Sequence, residues 1–369
     1  MQQLRVIISG GGTGGHIFPA IAIANALKKR LPDMEILFVG AKGKMEMEKV
    51  PAAGYKIEGL WISGLQRKLT FSNLLFPIKL IVSMFKARRI VKSFKPDVVI
   101  GVGGFASGPL LKAATSLGVP ALIQEQNSYP GITNIMLSKK VEKICVAYDG
   151  MEKYFPKDKI ILTGNPVRQD ILSLEGKRER ALELFGLSSD KKILLVIGGS
   201  LGARSINESI HDGLKKFKDN NIQVVWQTGK TYFTIAQDAA KPFESEGIKA
   251  YDFITKMDYA YAVADLVLSR AGASSVSELC LVKKPAILVP YPFAAEDHQS
   301  KNAMALVNHK AAILLKDDQV SSKLVSTVIE LMMDDQARTR LSENISRLAV
   351  SDSADVIANE VFNIAKKKV

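Results

Sequence analysis

The sequence predicts an α/β protein with two doubly wound parallel sheets, and three observations lead to this fold class. Its 369 residues are too many for one ordinary hydrophobic core. Short apolar runs alternate with helical patterns, which is typical of a parallel sheet covered by helices. Two of these runs lead into a glycine-rich loop and then a helix, so the chain contains two copies of the strand–glycine loop–helix unit that typically begins such a sheet. We therefore expect domains at residues 1–164 and 165–350, with a closing helix at 351–369.

The predicted elements follow from the apolar pattern. Residues 17–31 carry apolar side chains at helical spacing directly after the first glycine loop. The short apolar runs predict strands at residues 4–8, 35–40, 97–101, 119–123, 143–147 and 159–162, and again at 193–197, 223–226, 248–251, 266–268, 286–289 and 312–315.

The composition is that of a soluble globular protein, with 47% hydrophobic and 24% charged residues. Leu4 begins a core strand, so we expect no signal peptide, and no apolar run reaches the roughly 18 residues of a spanning helix. Cys145 and Cys280 lie in apolar runs without metal or redox spacing. They predict buried free thiols in a reducing cytoplasm.

The net charge of +13 is concentrated in the first half of the chain. Up to Gly164 there are 23 Lys and Arg against 11 Asp and Glu, whereas the remainder has 27 against 26. No acidic residue lies between Glu58 and Asp97. This distribution predicts a polyanionic surface as a partner, either a membrane or a nucleic acid.

Residues 72–95 predict a helix with more apolar surface than a core needs. One stripe at helical spacing is suited to the core and comprises Leu80, Met84, Ala87, Val91 and Phe94. A second stripe lies beside it, with basic residues at its flank: Leu74, Ile78, Ile81 and Phe85, with Lys79, Arg88 and Arg89. We expect this second face to enter an anionic membrane interface. The alternative is a helix buried on two sides; nucleic acid is disfavoured because the basic residues alternate with aliphatic ones.

The first glycine loop, Gly10-Gly-Gly-Thr-Gly-Gly-His16, joins a strand to a helix start and therefore turns backbone N–H groups toward an anion or a hydroxyl-rich ligand. Its spacing fits the dinucleotide fingerprint, but the second predicted strand ends at Gly40-Ala41 without the expected carboxylate. A nicotinamide enzyme is therefore disfavoured. His16 stands where a helix N-terminus disfavours the imidazolium, which suits a general base. A structural histidine is the alternative.

A second candidate site follows the strand at 266–268. Gly272 permits a tight turn, and small hydroxyl residues open the next helix, where N–H groups suit a diphosphate. Glu278 lies one turn further on, within reach of ribose hydroxyls; simple helix capping is the alternative. Residues 296–302 open another helix at the same sheet edge. Because the chain has no Asp-x-Asp pair, Walker loop, Gly-x-Ser-x-Gly or His-Glu-x-x-His, we expect no bound metal or cofactor.

Six motifs in order resemble those of the MurG family within glycosyltransferase family 28: 10–16, 101–105, 125–127, 164–168, 198–204 and 269–278. The resemblance implies a GT-B fold, with two Rossmann-like domains facing across a cleft and a last helix returning to the first domain. It implies transfer of N-acetylglucosamine from UDP-N-acetylglucosamine to undecaprenyl-linked lipid I, which forms lipid II for peptidoglycan. It also implies peripheral attachment to the cytoplasmic side of the cell membrane, and other cell-wall synthesis proteins as partners.

The matching positions imply roles for individual residues. His16 is the expected base, with Glu125 in reserve. Contacts to UDP-N-acetylglucosamine are implied for Thr13, Gly14, Gly15, Asn127, Arg168, Ser200, Ile254 (by backbone), Gly272, Ala273, Ser274, Ser275, Glu278 and Gln299. Ser300 stands where some members have a second glutamine. Two alternatives remain: another UDP-sugar enzyme of this fold, such as a lipid galactosyltransferase or a 2-epimerase, and a non-catalytic lipid- or nucleotide-binding protein.

Overall fold

The computed structural model describes residues 3–64, 75–199 and 202–366. The chain forms two compact units. The first comprises Met1–Arg168 together with Asp352–Val369, and the second comprises Gln169–Ser351. The first unit thus runs slightly past the boundary expected at Gly164 and also includes the last segment of the chain.

The first unit is built on a seven-stranded parallel sheet in the order β3-β2-β1-β4-β5-β6-β7. Its strands are β1 (Arg5–Gly10), β2 (Glu35–Ala41), β3 (Lys56–Leu60), β4 (Val98–Gly103), β5 (Ala121–Glu125), β6 (Lys143–Val146) and β7 (Ile160–Leu162). The strand order reverses between β1 and β4. The sequence did not predict β3, because the polar Lys56 and Glu58 interrupt its apolar pattern at the edge of the sheet.

Helices cover both faces of this sheet: α1 (Gly14–Arg30), α2 (Glu46–Ala52), α3 (Phe76–Phe94), α4 (Ser107–Ser116) and α5 (Ile132–Leu137). Successive strand residues point to opposite faces. Val6 and Ile8 therefore join the core beneath α1, while Ile7 joins the core beneath α3 and α4. None of the helices in the described ranges is long and apolar enough to cross a membrane.

Helix α3 buries the predicted face only in part. Its buried residues are Ser83, Ala87, Ile90 and Val91, and Phe94 packs against the same core, so the prediction is confirmed for Ala87, Val91 and Phe94 but is wrong for Leu80, which is exposed. The second stripe is exposed, with exposed fractions of 52%, 57% and 72% for Ile78, Ile81 and Phe85. This excludes the alternative of a helix buried on two sides. Leu74 lies outside the described residues.

The second unit has a six-stranded parallel sheet in the order β10-β9-β8-β11-β12-β13, which reverses between β8 and β11. Its strands are β8 (Lys192–Ile197), β9 (Ile222–Gln227), β10 (Ile248–Tyr251), β11 (Leu266–Ser269), β12 (Ala286–Leu288) and β13 (Ile313–Leu314). Its helices are α6 (Arg178–Phe185), α7 (Arg204–Asp219), α8 (Phe233–Ala240), α9 (Met257–Val263), α10 (Ala273–Val282), α11 (His298–Val307), α12 (Val320–Met333) and α13 (Asp335–Ser346).

The closing helix, α14 (Ser353–Lys366), belongs to the first unit. Ile357 and Val361 are fully buried in the core that α1 also joins, and Arg30 of α1 forms an ion pair with Asp355 at 3.1 Å. Cys145 and Cys280 are buried free thiols, as predicted. Burial raises the pKa of both, that of Cys280 to about 12.

Candidate active site

In the first unit, the candidate residues lie where the strand order reverses between β1 and β4. Open parallel sheets bind ligands at the carboxyl ends of their strands at such a reversal. Three loops meet this edge, at residues 10–13 after β1, 103–106 after β4 and 126–131 after β5. They contain the first three motifs singled out in the sequence.

His16 lies in the first turn of α1, where its backbone N–H donates to the carbonyl of Thr13. Its Nδ1 is 3.0 Å from the carbonyl oxygen of Gly11 and 3.3 Å from Thr13 Oγ1. Because a carbonyl oxygen only accepts hydrogen bonds, Nδ1 must be the protonated nitrogen. In the neutral ring, Nε2 then carries a lone pair, which is the arrangement that a general base needs.

The glycines of the second motif leave room for this histidine. Gly103 and Gly104 have φ values of +106° and +90°, a conformation that side chains disfavour. A Cβ atom on Gly103 would lie 2.5 Å from His16 Cδ2, and one on Gly104 would clash with the carbonyl oxygen of Gly11. The loop after β4 therefore packs directly against the ring and the peptide to which it is hydrogen-bonded.

Glu46 is a residue of this edge that the sequence did not single out. Its side chain is buried, with Oε2 accepting from Gly12 N at 2.8 Å and Oε1 accepting from Ala41 N at 2.9 Å. The dinucleotide pattern places its carboxylate at the end of the second strand, whereas Glu46 lies beyond the end of β2 in the sequence. Its carboxylate binds backbone N–H groups of the protein. An acidic residue near the start of α2 was the available signal, but its partner became visible only with the fold.

Glu125 is buried and accepts four hydrogen bonds. Oε1 accepts from Asn127 N at 3.0 Å and from Asn127 Nδ2 at 3.3 Å, while Oε2 accepts from Gly131 N at 3.1 Å and from Asn134 Nδ2 at 2.7 Å. A carboxylate has about four acceptor positions, and these contacts use them. The arrangement favours Glu125 as the residue that positions Asn127 and the loop after β5, rather than as the reserve base.

Arg168 is at the end of the first unit's main segment, and its guanidinium lies 5.4 Å from the ring centroid of Phe18 in α1. This contact places a cation near the first turns of α1. Gly14 and Gly15 form the start of that helix, and Thr13 precedes it in an extended conformation. The fold thus brings four of the predicted contact residues to one end of α1.

In the second unit, the residues from Gly272 to Glu278 follow β11, where the strand order reverses between β8 and β11, whereas Ile254 follows β10 and Gln299 follows β12. Gly272 precedes α10 in an extended conformation, and no side chain caps the helix. The first-turn N–H groups of Ala273, Ser274 and Ser275 therefore form an anion-binding helix start. The hydroxyl of Ser274 is buried and has no hydrogen-bond partner in the described part of the chain. Ser200, which follows β8 in the sequence, lies outside the described residues.

Glu278 is held by a buried tyrosine that the sequence did not single out. Tyr261 of α9 donates its hydroxyl to Glu278 Oε2 at 2.9 Å and is 1% exposed. Ile254 donates its N–H to Gln227 Oε1 at 2.9 Å, which leaves its carbonyl as the group that could meet a uracil N–H. A tyrosine in an apolar helix is typical of a core residue, so the sequence contained no clear signal for this role.

Gln299 lies in the first turn of α11, and its Oε1 accepts from Tyr291 N at 2.9 Å. Ser300 donates its hydroxyl to Asp297 Oδ1 at 2.6 Å, at the residue that precedes the same helix. The hydroxyl of Ser300 is therefore bonded to a neighbouring side chain, whereas the side chain of Gln299 is held by the backbone of the loop that contains Tyr291. Within the described ranges no group of three or more His, Cys, Asp and Glu side chains is arranged to hold a metal ion.

Comparison with known proteins places this geometry in a family. Residues 6–146 match the glycosyltransferase family 28 N-terminal domain, and residues 193–358 match its C-terminal domain. A Parabacteroides distasonis protein is 57% identical over 368 residues, covering 100% of both chains, and is named UDP-N-acetylglucosamine--N-acetylmuramyl-(pentapeptide) pyrophosphoryl-undecaprenol N-acetylglucosamine transferase. A Cytophaga hutchinsonii protein of the same name is 58% identical, covering 98% of this chain and 97% of its own. A crystal structure of Acinetobacter baumannii MurG superposes with a TM-score of 0.77 at 27% identity, covering 98% of this chain and 99% of that one.

The chain belongs to the MurG family. The resemblance in the six motifs is thereby confirmed, as is the GT-B fold class with its two parallel sheets. Membership of the MurG family also identifies the enzyme class as an N-acetylglucosaminyltransferase. The roles of individual residues stay predictions, and the geometry described above decides how each is best tested.

Proposed function

We propose that the protein transfers N-acetylglucosamine from UDP-N-acetylglucosamine to the 4-hydroxyl of N-acetylmuramic acid in undecaprenyl-linked lipid I, forming lipid II. The observation that carries this proposal is identity above 50% over the whole chain to transferases named for this reaction. The geometry of His16 supports it, because an inverting transferase needs one base beside the attacking hydroxyl.

In the proposed reaction, His16 Nε2 removes the proton from the 4-hydroxyl. The resulting oxygen nucleophile attacks the anomeric carbon of the donor from the face opposite UDP. The new C–O bond forms as the bond from the anomeric carbon to the diphosphate oxygen breaks, so the configuration inverts and UDP leaves with the electron pair. The contact from His16 Nδ1 to Gly11 supports this role, because it keeps Nε2 unprotonated before the reaction.

The second unit supplies the donor site in this proposal. The N-terminus of α10, from Gly272 to Ser275, stabilises the negative charge that develops on the leaving diphosphate. Glu278 accepts hydrogen bonds from the ribose hydroxyls, and Gln299 contacts the sugar. The unpartnered hydroxyl of Ser274 supports a ligand at this turn, because burying a hydroxyl without a partner costs about 1–3 kcal/mol.

The reaction is tested by measuring UDP release from UDP-N-acetylglucosamine with and without lipid I. We expect release only when lipid I is present, together with a disaccharide product. UDP release that depends on another acceptor, or 2-epimerisation of the donor, would assign the protein to a different UDP-sugar reaction. Binding of UDP without turnover would make it a binding protein.

The base is tested with His16→Ala. We expect kcat to fall by about 10²–10⁴-fold while the Kd for UDP-N-acetylglucosamine changes little, because the histidine acts on the acceptor hydroxyl. Asn127→Ala is a useful comparison, since it alters a predicted donor contact instead. Full activity of His16→Ala would remove this residue from the base role.

We also propose that α3 attaches the first unit peripherally to the cytoplasmic face of the cell membrane. Ile78, Ile81 and Phe85 form an exposed apolar surface, and Arg88 and Arg89 follow on the same helix. Apolar side chains that enter an interface beside basic residues are suited to anionic lipid, where each Lys or Arg contributes about 1 kcal/mol. This would hold the enzyme where a lipid-linked acceptor is found.

A further inference from the structure

We propose that Glu46 positions His16 for proton transfer by acting through the Gly11–Gly12 peptide bond. The inference deepens the proposed function and rests on His16 as its base. One peptide group makes both contacts that matter. Its carbonyl oxygen, on Gly11, accepts from His16 Nδ1 at 3.0 Å, and its N–H, on Gly12, donates to Glu46 Oε2 at 2.8 Å.

The physical reason is the polarisability of the peptide group. A negative charge at the N–H favours the resonance form in which the carbonyl oxygen is more negative, so hydrogen bonds at the two ends of one peptide strengthen each other. The carbonyl of Gly11 is therefore a stronger acceptor for His16 Nδ1 than an unpolarised carbonyl. Histidines that transfer protons or bind metals are commonly oriented by a carboxylate on the second ring nitrogen. In this protein the Gly11–Gly12 peptide bond lies between the carboxylate of Glu46 and the ring of His16.

Glu46 is fixed well enough to serve this purpose. The residue is 1% exposed, and Oε1 accepts from Ala41 N at 2.9 Å, which anchors the carboxylate to the end of β2. Glycine at position 11 lets the carboxylate approach, because a Cβ atom there would clash with it. On the other side, Gly104 packs against the same peptide. The peptide between Glu46 and His16 is thus held from both directions.

The assignment also accounts for two motifs that the proposed reaction alone leaves unexplained. The N–H of Gly12 belongs to a loop whose spacing fits a phosphate site, yet it donates to a carboxylate of the protein. Gly103 and Gly104 contact the ring of His16 and the peptide of Gly11. In this role the glycine-rich loop orients His16, and the anion that its N–H group binds is the carboxylate of Glu46.

The first test is Glu46→Gln, which keeps the side-chain volume but removes the charge and one acceptor. We expect kcat to fall about tenfold or more, with the KM for UDP-N-acetylglucosamine unchanged. Glu48→Gln is the matched control, because Glu48 is exposed on the same helix, and its kcat should equal that of the unmodified enzyme. An unchanged kcat in a folded Glu46→Gln protein would overturn the proposal.

A second test separates this role from general support of the loop. In a His16→Ala background, Glu46→Gln should cause no further loss of kcat, because both changes remove the same proton transfer. A loss that adds in full would mean that Glu46 acts independently of His16, and would overturn the proposal. Full activity of His16→Ala alone would instead contradict the proposed base, so the two failures are distinguishable.

A third measurement begins with the unmodified protein, so its first result does not depend on a variant that folds. The ring ¹⁵N shifts of His16 in the unmodified protein should show a protonated Nδ1 and an unprotonated Nε2 in the neutral ring. Glu46→Gln should reduce this tautomer preference, and Glu48→Gln should leave it as it is. A neutral ring protonated at Nε2 in the unmodified protein would overturn the proposal.

Discussion

At the scale of single residues, two buried glutamates organise the loops around His16. Glu46 and Glu125 each accept N–H groups on both carboxylate oxygens. A buried carboxylate without such partners is strongly destabilising, so each one holds its donors in place. The loops after β1 and β5 are therefore held by acidic side chains of the protein. Tyr261 has a similar relation to Glu278 in the second unit.

Tyr261→Phe tests that relation. Without the hydroxyl, Glu278, our proposed ligand of the ribose, loses a hydrogen bond of 2.9 Å that holds its side chain. We expect the KM for UDP-N-acetylglucosamine to rise several-fold, consistent with about 1 kcal/mol for one hydrogen bond, and kcat to change little. The measurement is initial rate against donor concentration, repeated with the 2′-deoxyribose donor.

The unmodified enzyme should prefer the natural donor over the 2′-deoxy donor more strongly than Tyr261→Phe does. Tyr259→Phe, on the same helix, is the control and should keep the full preference. If Tyr261→Phe discriminates between the two donors as well as the unmodified enzyme, Tyr261 is only a core residue.

At the scale of elements, both units place a glycine-rich loop and a helix start at the point where strand order reverses. In the first unit the loop after β4 adds a specific demand, since Gly104 has a positive φ and contacts the peptide of Gly11. Helix α3 instead exposes an apolar surface, formed by Ile78, Ile81 and Phe85, that the described part of the chain leaves uncovered. These two elements lead to separate predictions.

Gly104→Ala should destabilise the first unit by more than backbone strain alone. A positive φ costs a non-glycine residue about 1–2 kcal/mol, and here the added methyl also clashes with the carbonyl of Gly11. Gly118→Ala is the matched control, because Gly118 has φ +71° and no atom within 4 Å of the added methyl. Urea denaturation and kcat would be measured for both. Equal stability and activity of the two variants would contradict the close approach at Gly104.

Changing Ile78, Ile81 and Phe85 together to Ser should reduce vesicle binding. Transfer of each apolar side chain from water contributes up to about 1.5–3 kcal/mol, so partial insertion of three would account for a loss of tenfold or more. Sedimentation with phosphatidylglycerol vesicles measures this. The control changes three exposed residues of the second unit, Leu184, Ile235 and Met333, to Ser. Unchanged sedimentation of the α3 variant would exclude this surface as the membrane contact.

At the scale of the whole molecule, the first unit is discontinuous in sequence. The chain passes from it to the second unit after Arg168 and enters it again at Asp352. The returning helix α14 contributes Ile357, Ala358 and Val361 to the core that covers one face of the first sheet. The stability of the first unit, whose first strand begins at Arg5, therefore depends on residues near the end of the chain.

Ile357→Ala should lower the free energy of unfolding of the first unit by about 2–5 kcal/mol, because it leaves a cavity in a fully buried site. Hydrogen exchange should show lost protection in β1 and β4 but not in β8 and β11. Asn363→Ala, exposed on the same helix, should have little effect. Equal loss of protection in both units would contradict the assignment of α14 to the first.

Much of this architecture was readable from the sequence because it depends on local patterns. Buried parallel strands are short apolar runs, and two strand–glycine loop–helix starts predict two sheets. The edge strand β3 was missed because half of its residues are polar, and the buried face of α3 was misplaced at Leu80. Helical spacing identifies an apolar stripe, but which of two adjacent stripes is buried depends on the helix and sheet packed against it.

The sequence by itself determined the fold class, the family and the positions of His16, Glu278 and the glycine loops, because these depend on residue type and spacing along the chain. Only the tertiary structure showed that Glu46 meets the peptide bonded to His16, that Tyr261 holds Glu278, and that Glu125 is saturated by N–H donors. These contacts join segments that are distant in sequence or that turn back on themselves. The geometry of a hydrogen bond is set by where strands and helices lie in space, and no periodicity along the chain encodes it.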